Sequence, residues 1–598
     1  MFNKSISATL LKLAVLAFCL SWLVYFMFKN EVPTDVGDGL MHFFYAQASW
    51  ENVDLFLHHW GKPFFILLSS SFAQFGFDGM VIFNIIVFAA TTLIGFKILQ
   101  TFEVTVWLQL LFPLLLLIPH DVTETIFGGL TEPLFNLAAI ASLWFLLDKK
   151  YFWFAIIVSF MPFMRSEGQL PVVLALFLLV YNKSYKTIPF LFLGFILYSI
   201  AGIFVYNDFW WYFTKSAYSM DNAIYGKGTW GHYLISYKNY LGNPAVYILI
   251  IGIPAMVILA FKKRWKEIQL EWAFYAYGIF IGVVVLHSYF WATGQNGSLG
   301  LTRIATQGMP IFVLLHIYFI SRFKFFNHFI AKILYGAFAI VLLATLVSTK
   351  IYPKKVDALD RQVLEAAKFL TGYKGKENKI YYHFPLFAYA FDENPFSSSG
   401  QCVFHSFSDL GLELKTIIKP GDFIVRDSHF GPMEAKLPLS EVVKYSELVK
   451  VHEFISSEQV DDAFGEIESV IIYQYIPTEK QKPIPSVVNK LLEKQDFKIE
   501  KDKEFTDLHT LLPAITHDTK ITFDLSTTTE GLVLVYDYNN KEDYSNMKLQ
   551  PSRLLNLTLL FRKSGNTKLY IWNPTKQSGT ITLRNLKMEQ VSYHPLMD

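Results

Sequence analysis

Long apolar stretches crowd the first 350 residues, and almost every ionisable side chain among them lies toward one end of a stretch. A helix rises about 1.5 Å per residue, so about twenty apolar residues cross a bilayer. Read at that length, about eleven candidate spans emerge. They cover 11–28, 79–98, 105–119, 130–147, 151–165, 170–182, 187–205, 245–261, 271–289, 304–320 and 331–349. The stretch 62–77 is apolar but broken by Ser69, Ser70, Ser71 and Gln74, and reads as half-buried or interfacial. Residues 1–350 are therefore expected to form an α-helical polytopic membrane domain. A basic lead (Lys4, Lys12) precedes the first core and no small-x-small cleavage site follows it, which predicts a retained first helix.

Alternate loops differ in charge. One set carries Lys4 and Lys12, Lys97, Lys149 and Lys150, Lys183 and Lys186, Lys262 to Lys266, then Arg322, Lys324 and Lys332. The other carries Glu31, Asp35, Asp38, Glu51, Asp54 and Asp78, then Asp121, Glu124 and Glu132. The positive-inside rule assigns the basic set to the cytoplasm. An odd number of spans then predicts an N-terminus inside and residues 350–598 outside.

The tail is of ordinary soluble character, so the overall 53% hydrophobic content describes neither half of the chain. Short β-like runs at Lys379–His383, Gly421–Asp427 and Val470–Tyr475 alternate with a helical pattern over Val356–Tyr373, which suggests a small α/β domain at 351–480. The Pro-containing stretch Ile476–Pro485 divides it from 481–598, where Lys520–Leu525, Gly531–Tyr538, Leu555–Arg562, Lys568–Trp572 and Gly579–Leu586 read as a β-sandwich. Cys19 and Cys402 lie in different regions, so neither a disulfide framework nor a cysteine-based zinc site is expected. A net charge of +2 without a basic stripe argues against nucleic-acid binding.

Charged groups cost about 2.5–3.5 kcal/mol at the bilayer centre. Asp35, Asp38, His42, Asp121, Glu124, Glu132, Arg165, Glu167 and Arg303 all fall at predicted outer helix ends or loops, while mid-span polar candidates are weak, such as Asn84 and His316. That distribution suits a catalytic surface at a membrane boundary better than a transport path. Arg offers a planar, permanent charge for phosphate oxygens, and a nearby carboxylate can take a proton from an attacking hydroxyl.

The order of these elements resembles the GT-C class of membrane glycosyltransferases, which use polyprenyl- or dolichyl-phosphate sugars, mannosyltransferases among them. The resemblance rests on the acidic pair in Asp35-Val36-Gly37-Asp38-Gly39, the run His58-His59-Trp60-Gly61-Lys62-Pro63, and Thr131-Glu132-Pro133 opening a helix. It also rests on Met164-Arg165-Ser166-Glu167-Gly168 at a turn and on Leu301-Thr302-Arg303 before a late span. It implies Asp38 as catalytic base with Asp35 as partner, and Arg165 and Arg303 as donor-phosphate ligands. Glu124, Glu132 and Glu167 match secondary acidic positions for substrate, and His42 and His232 are further candidate contacts. Trp210-Trp211 is followed by Tyr212, so the Trp-Trp-Asp signature of oligosaccharyltransferases is lacking, and with it the expectation of their divalent metal. The expected function is an inverting glycosyltransferase with a lipid-linked sugar donor, a glycan, lipid or protein acceptor, and no cofactor or metal. It would sit in a bacterial inner membrane, or in the ER membrane of a eukaryote. The alternatives are a polysaccharide polymerase or ligase using diphosphate-linked glycans, or a non-enzymatic transporter or glycan-binding membrane protein.

In the tail, Asp427-Ser428-His429 resembles a hydrolase fragment, but three consecutive strand residues cannot converge as a triad. Tyr570 and Trp572 share one strand face and read as core or as a sugar platform.

Overall fold

A computed structural model describes all residues except 1, 217–225, 263, 265–267, 323–327, 399, 456–467, 482–487, 502, 509–518, 539–542, 550, 552–553, 562–566, 591–595 and 597–598. Part of the loop following Tyr206, the basic residues Lys263, Lys266 and Lys324, and the end of the Pro-containing linker thus lie outside the described residues. The chain divides into two compact units, Met1–Lys355 with Phe396–Ser398, and Val356–Pro395 with Ser399–Asp598.

The first unit is helical. Among the described residues, six helices are long and apolar enough to cross a membrane: Ser7–Met27, Phe77–Thr101, Tyr185–Tyr206, Gly242–Phe261, Leu270–Thr293 and Phe329–Val347. A seventh arises if Val106–Leu117 and His120–Phe127 form one span, bent by 69°. Pro119 sits at that bend in an extended conformation, and its ring nitrogen has no proton to continue the helical ladder. Four stretches expected to span, 130–147, 151–165, 170–182 and 304–320, are helices of 10–17 residues instead. Their lengths are set by turns that cut into the apolar runs. Thr131 and Pro133 open Glu132–Leu147, and a Pro162 turn ends Tyr151–Phe160. The element at 62–77 is the helix Pro63–Ala73, with proline at its first position, where its missing N–H costs nothing.

The mid-helix polar residues are structural ties. The Asn84 amide donates to the Thr125 and Leu130 carbonyls at 3.2 and 2.9 Å, and fixes the turn after His120–Phe127. His316 Nε2 meets the Tyr277 hydroxyl at 2.9 Å, and its Nδ1 the Phe312 carbonyl at 2.8 Å. Asn136 reaches across the unit: it donates to the Thr306 carbonyl at 3.1 Å and accepts from the Gly308 N–H at 2.8 Å.

The second unit holds a five-stranded sheet of β1 (Ile380–Tyr382), β2 (Cys402–Phe404), β3 (Phe423–Asp427), β4 (Leu448–Ile455) and β5 (Ser469–Tyr475). Its order is β2-β1-β3-β5-β4, with β1 parallel to β2 and β3, and β3, β5 and β4 antiparallel in turn. The helix Ala358–Leu370 precedes it, capped by Asp357, whose carboxylate accepts the Asp360 N–H at 2.8 Å. Asp427 and Ser428 serve a turn: the Asp427 carboxylate accepts the His429 and Phe430 N–H groups, and Ser428 Oγ accepts the Ser469 N–H at 3.1 Å.

Beyond it lie two antiparallel four-stranded sheets. One runs Asp543–Lys548, Val533–Tyr538, Thr567–Trp572, Phe505–Asp507, and the other Leu555–Phe561, Thr519–Thr527, Gly579–Gln590, Val488–Ile499. Ile521, Phe523, Leu525, Leu557 and Leu583 from one sheet share a core with Leu534, Leu569 and Ile571 from the other, which is sandwich packing. Trp572 and Tyr570 are half-buried on the other face from Leu569 and Ile571.

Candidate active site

Within the helical unit, segments far apart in the chain converge on a cavity of about 510 Å³. Its charged lining comprises Asp38, Lys62, Glu132, Arg165, Glu167 and Arg303. His42, His59, Trp60, Ser166, His287 and the turn Asn296–Leu299 add polar and aromatic walls, and Leu130, Leu286, Phe290 and Ile304 supply apolar surface.

The acidic loop is held by close backbone packing. A Cβ on Gly39 would lie 2.1 Å from the Gly128 carbonyl oxygen and 3.1 Å from the Asp35 Cβ, so only glycine fits between these two segments. The two aspartates then take different environments. Asp35 accepts the Gly37 and Gly39 N–H groups at 3.1 and 2.9 Å through one oxygen, and Arg303 Nη1 at 2.7 Å through the other. Its side chain is 7% exposed and it does not line the cavity. Asp38 opens the helix Asp38–Ala48, accepts from Arg303 Nη2 at 2.5 Å, and is 40% exposed toward the cavity. One guanidinium thus spans both carboxylates.

Arg165 forms a second clamp. It projects in an extended conformation between the turns Met161–Phe163 and Ser166–Gly168. A Cβ on Gly168 would meet the Met161 backbone at 2.2 Å, so the sharp reversal that presents Arg165 needs glycine. Arg165 donates to Glu132 at 2.7 Å, to Thr131 Oγ1 at 2.9 Å, and to both Glu167 oxygens at 3.2 and 3.3 Å. His287 Nε2 joins Glu167 at 3.0 Å. Arg303 in turn is positioned by its own segment: its carbonyl accepts from Thr306 Oγ1 at 2.7 Å, and Asn136 ties down the residues that follow.

Lys62 is the third cation. It is buried, its ammonium reaches Ser166 Oγ at 3.1 Å, and its backbone has φ +65° immediately before Pro63. A long side chain in that sparsely populated region, in a pre-proline position, is held there by its surroundings. Such strain concentrates at functional sites.

Six of the nine candidate residues line the cavity together: Asp38, His42, Glu132, Arg165, Glu167 and Arg303. Asp35 stands behind Arg303. Glu124 does not line the cavity and lies 3.9 Å from His120. His232 holds the Gly300 carbonyl at 2.7 Å, beside the cavity wall and outside its lining. Lys62, Ser166 and His287 were not among the candidates. A lysine before a proline in an aromatic run signals the first of these in the sequence, whereas nothing local distinguishes His287.

The histidines beside the loop are kept neutral. Burial, then the positive charges of Lys62, Arg165 and Arg303, hold His42 well below its ordinary value. Burial followed by Lys62 lowers His58 and His59 to about 4. Below about pH 6.5 the unfolded chain takes up protons that the folded unit refuses. Stability is therefore expected to be full above that value and to decline toward about pH 4, each histidine contributing a slope of up to about 1.4 kcal/mol per pH unit. Unfolding midpoints across this range, compared with H58Q and H59Q, measure the effect, and the variants should show shallower slopes.

No family model matches this chain, and no curated protein matches it. Among solved structures, the chain is similar to ArnT from Cupriavidus metallidurans, crystallised bound to undecaprenyl phosphate. The two share 10% identity at a TM-score of 0.47, over 79% of this chain and 99% of that one.

Proposed function

We propose that this chain is an inverting membrane glycosyltransferase of GT-C type, which moves a sugar from a polyprenyl-phosphate donor to an acceptor hydroxyl. The observation that carries the reading is the cavity itself: a single partly exposed carboxylate, Asp38, faces the same space as Lys62, Arg165 and Arg303. A phosphate leaving group needs such cations, and a hydroxyl nucleophile needs such a base.

In this mechanism the Asp38 carboxylate takes the proton of the acceptor hydroxyl. The hydroxyl oxygen forms its bond to the anomeric carbon as the bond from that carbon to the phosphate oxygen breaks. The departing polyprenyl phosphate gains negative charge beside Lys62 and Arg165, and a single displacement inverts the anomeric centre. Asp35 acts as a positioning residue: with Arg303 it fixes the orientation of Asp38. We further propose the full arrangement of about eleven spans, in which shorter helices are completed by neighbouring protein. Residues 351–480 and 481–598 would then lie outside the cytoplasm of a bacterial cell, with the reaction at the outer face. The mid-helix polar residues found as structural ties favour this over a transporter.

The test is transfer by the purified chain from a panel of radiolabelled polyprenyl-phosphate sugars, with a membrane extract supplying acceptors. Transfer by the wild type supports the reading, and turnover of diphosphate-linked glycans alone would replace it with the polymerase or ligase. In the same assay K62M is expected to raise the donor KM by about 10- to 100-fold, the equivalent of one charge-assisted hydrogen bond of about 1.5–3 kcal/mol. An unchanged KM would remove Lys62 from the phosphate site.

A further inference from the structure

Where the chain bends at Pro119, three side chains outside the cavity lining gather at the first turn of His120–Phe127. His120, Asp121 and Glu124 each offer one ligand atom, and these atoms lie within 4.8 Å of one another. His120 Nδ1 is 3.3 Å from Asp121 Oδ1 and 3.9 Å from Glu124 Oε2. His120 and Glu124 are four residues apart, and so share one helix face.

We propose that this cluster binds a divalent first-row transition metal ion. A second observation, independent of the clustering, points to a ligand. Asp121 is 2% exposed, and its Oδ2 is buried without a hydrogen-bond partner among the described residues. His120 meets only Oδ1, at 3.3 Å, and so leaves the desolvation penalty of Oδ2 uncompensated. A cation held by both oxygens of the carboxylate removes the cost. The helix N-terminus opposes a cation, but its partial charge is smaller than that of the two carboxylates.

The donor set and spacing fit the metal class. Bonds of about 2.0–2.2 Å place neighbouring ligands about 3.0–3.5 Å apart. The His120–Asp121 pair already has that separation, and Glu124 Oε2, at 3.9 Å from His120 Nδ1, closes onto the ion when it binds. One imidazole with two carboxylates suits zinc, iron, cobalt or manganese, with water in the open positions. Side-chain exposures of 42% for His120 and 26% for Glu124 leave an entry path. The charged groups acting on the cluster from neighbouring segments are Arg303, Asp35 and Lys354. An ion here would brace the helix that leads into Gly128, the residue packed against Gly39 and Asp35.

The test uses the untagged full-length chain in detergent, stripped with EDTA and desalted. Titration with Co²⁺, followed by its visible d–d bands, should saturate near one equivalent, and Zn²⁺ should displace it. H120A and E124Q are each expected to weaken binding by about tenfold or more. In the wild type, Zn²⁺ should also slow carbethoxylation of His120 mapped by mass spectrometry, a readout that needs no variant. No saturable Co²⁺ spectrum, wild-type binding in both variants, or an unchanged His120 modification rate would each overturn the site. None of these readouts depends on sugar transfer, so the glycosyltransferase reading stands or falls separately.

Discussion

Replacing Asp38 by Asn is expected to lower sugar transfer by about 10²–10⁴-fold, the range spanned by a positioned general base. The fold should be unchanged. The amide keeps the size of the carboxylate, one oxygen can still accept from Arg303, and the side chain is 40% exposed, so no buried charge is orphaned. The donor KM should move little, because the cations that face the phosphate are untouched. Initial rates of transfer for wild type and D38N, with matched gel-filtration profiles, measure this. A D38N enzyme of wild-type rate would move the base to another carboxylate of the cavity, Glu132 or Glu167.

R303A is expected to have the second large effect, and on stability as well as rate. The guanidinium bridges Asp35 and Asp38, and Asp35 has a side chain only 7% exposed. Removing one partner of a buried pair leaves the other uncompensated and costs about 3–5 kcal/mol. The Asp35 oxygen that accepts two backbone N–H groups keeps them, so the loss falls on the oxygen that faced Arg303. The double variant R303A/D35N should therefore recover part of the lost stability, since an orphaned charge is removed, while transfer stays low because Asp38 has lost its anchor. Unfolding midpoints and transfer rates of both single variants and the double variant close the cycle. Additive stability losses would mean that Arg303 and Asp35 are not coupled.

Elements that depend on local pattern were legible. The helix Phe77–Thr101 and the strands Phe423–Asp427 and Thr567–Trp572 follow from runs of apolar or alternating residues. The acidic loop was recognisable because its two aspartates lie between an apolar helix and an aromatic run, where charge is costly without a use. Span length was harder to read. The stretch 151–165 is apolar throughout its first part, yet Pro162 and Gly168 let the chain turn sharply there, and that turn aims Arg165.

By itself the sequence determined that residues 1–350 are helical and suited to a membrane, that the tail carries strands, and which charged residues were worth testing. Hydropathy and side-chain period act over a few residues, and a single sequence contains them. Only the tertiary structure decided which aspartate faces the cavity, what each arginine holds, and that Lys62 and His287 belong to the site. Those outcomes depend on contacts such as Arg303 to Asp35, across 268 positions of chain, and His287 to Glu167, across 120. Packing of whole helices brings such groups within hydrogen-bond range, and no local pattern encodes that distance.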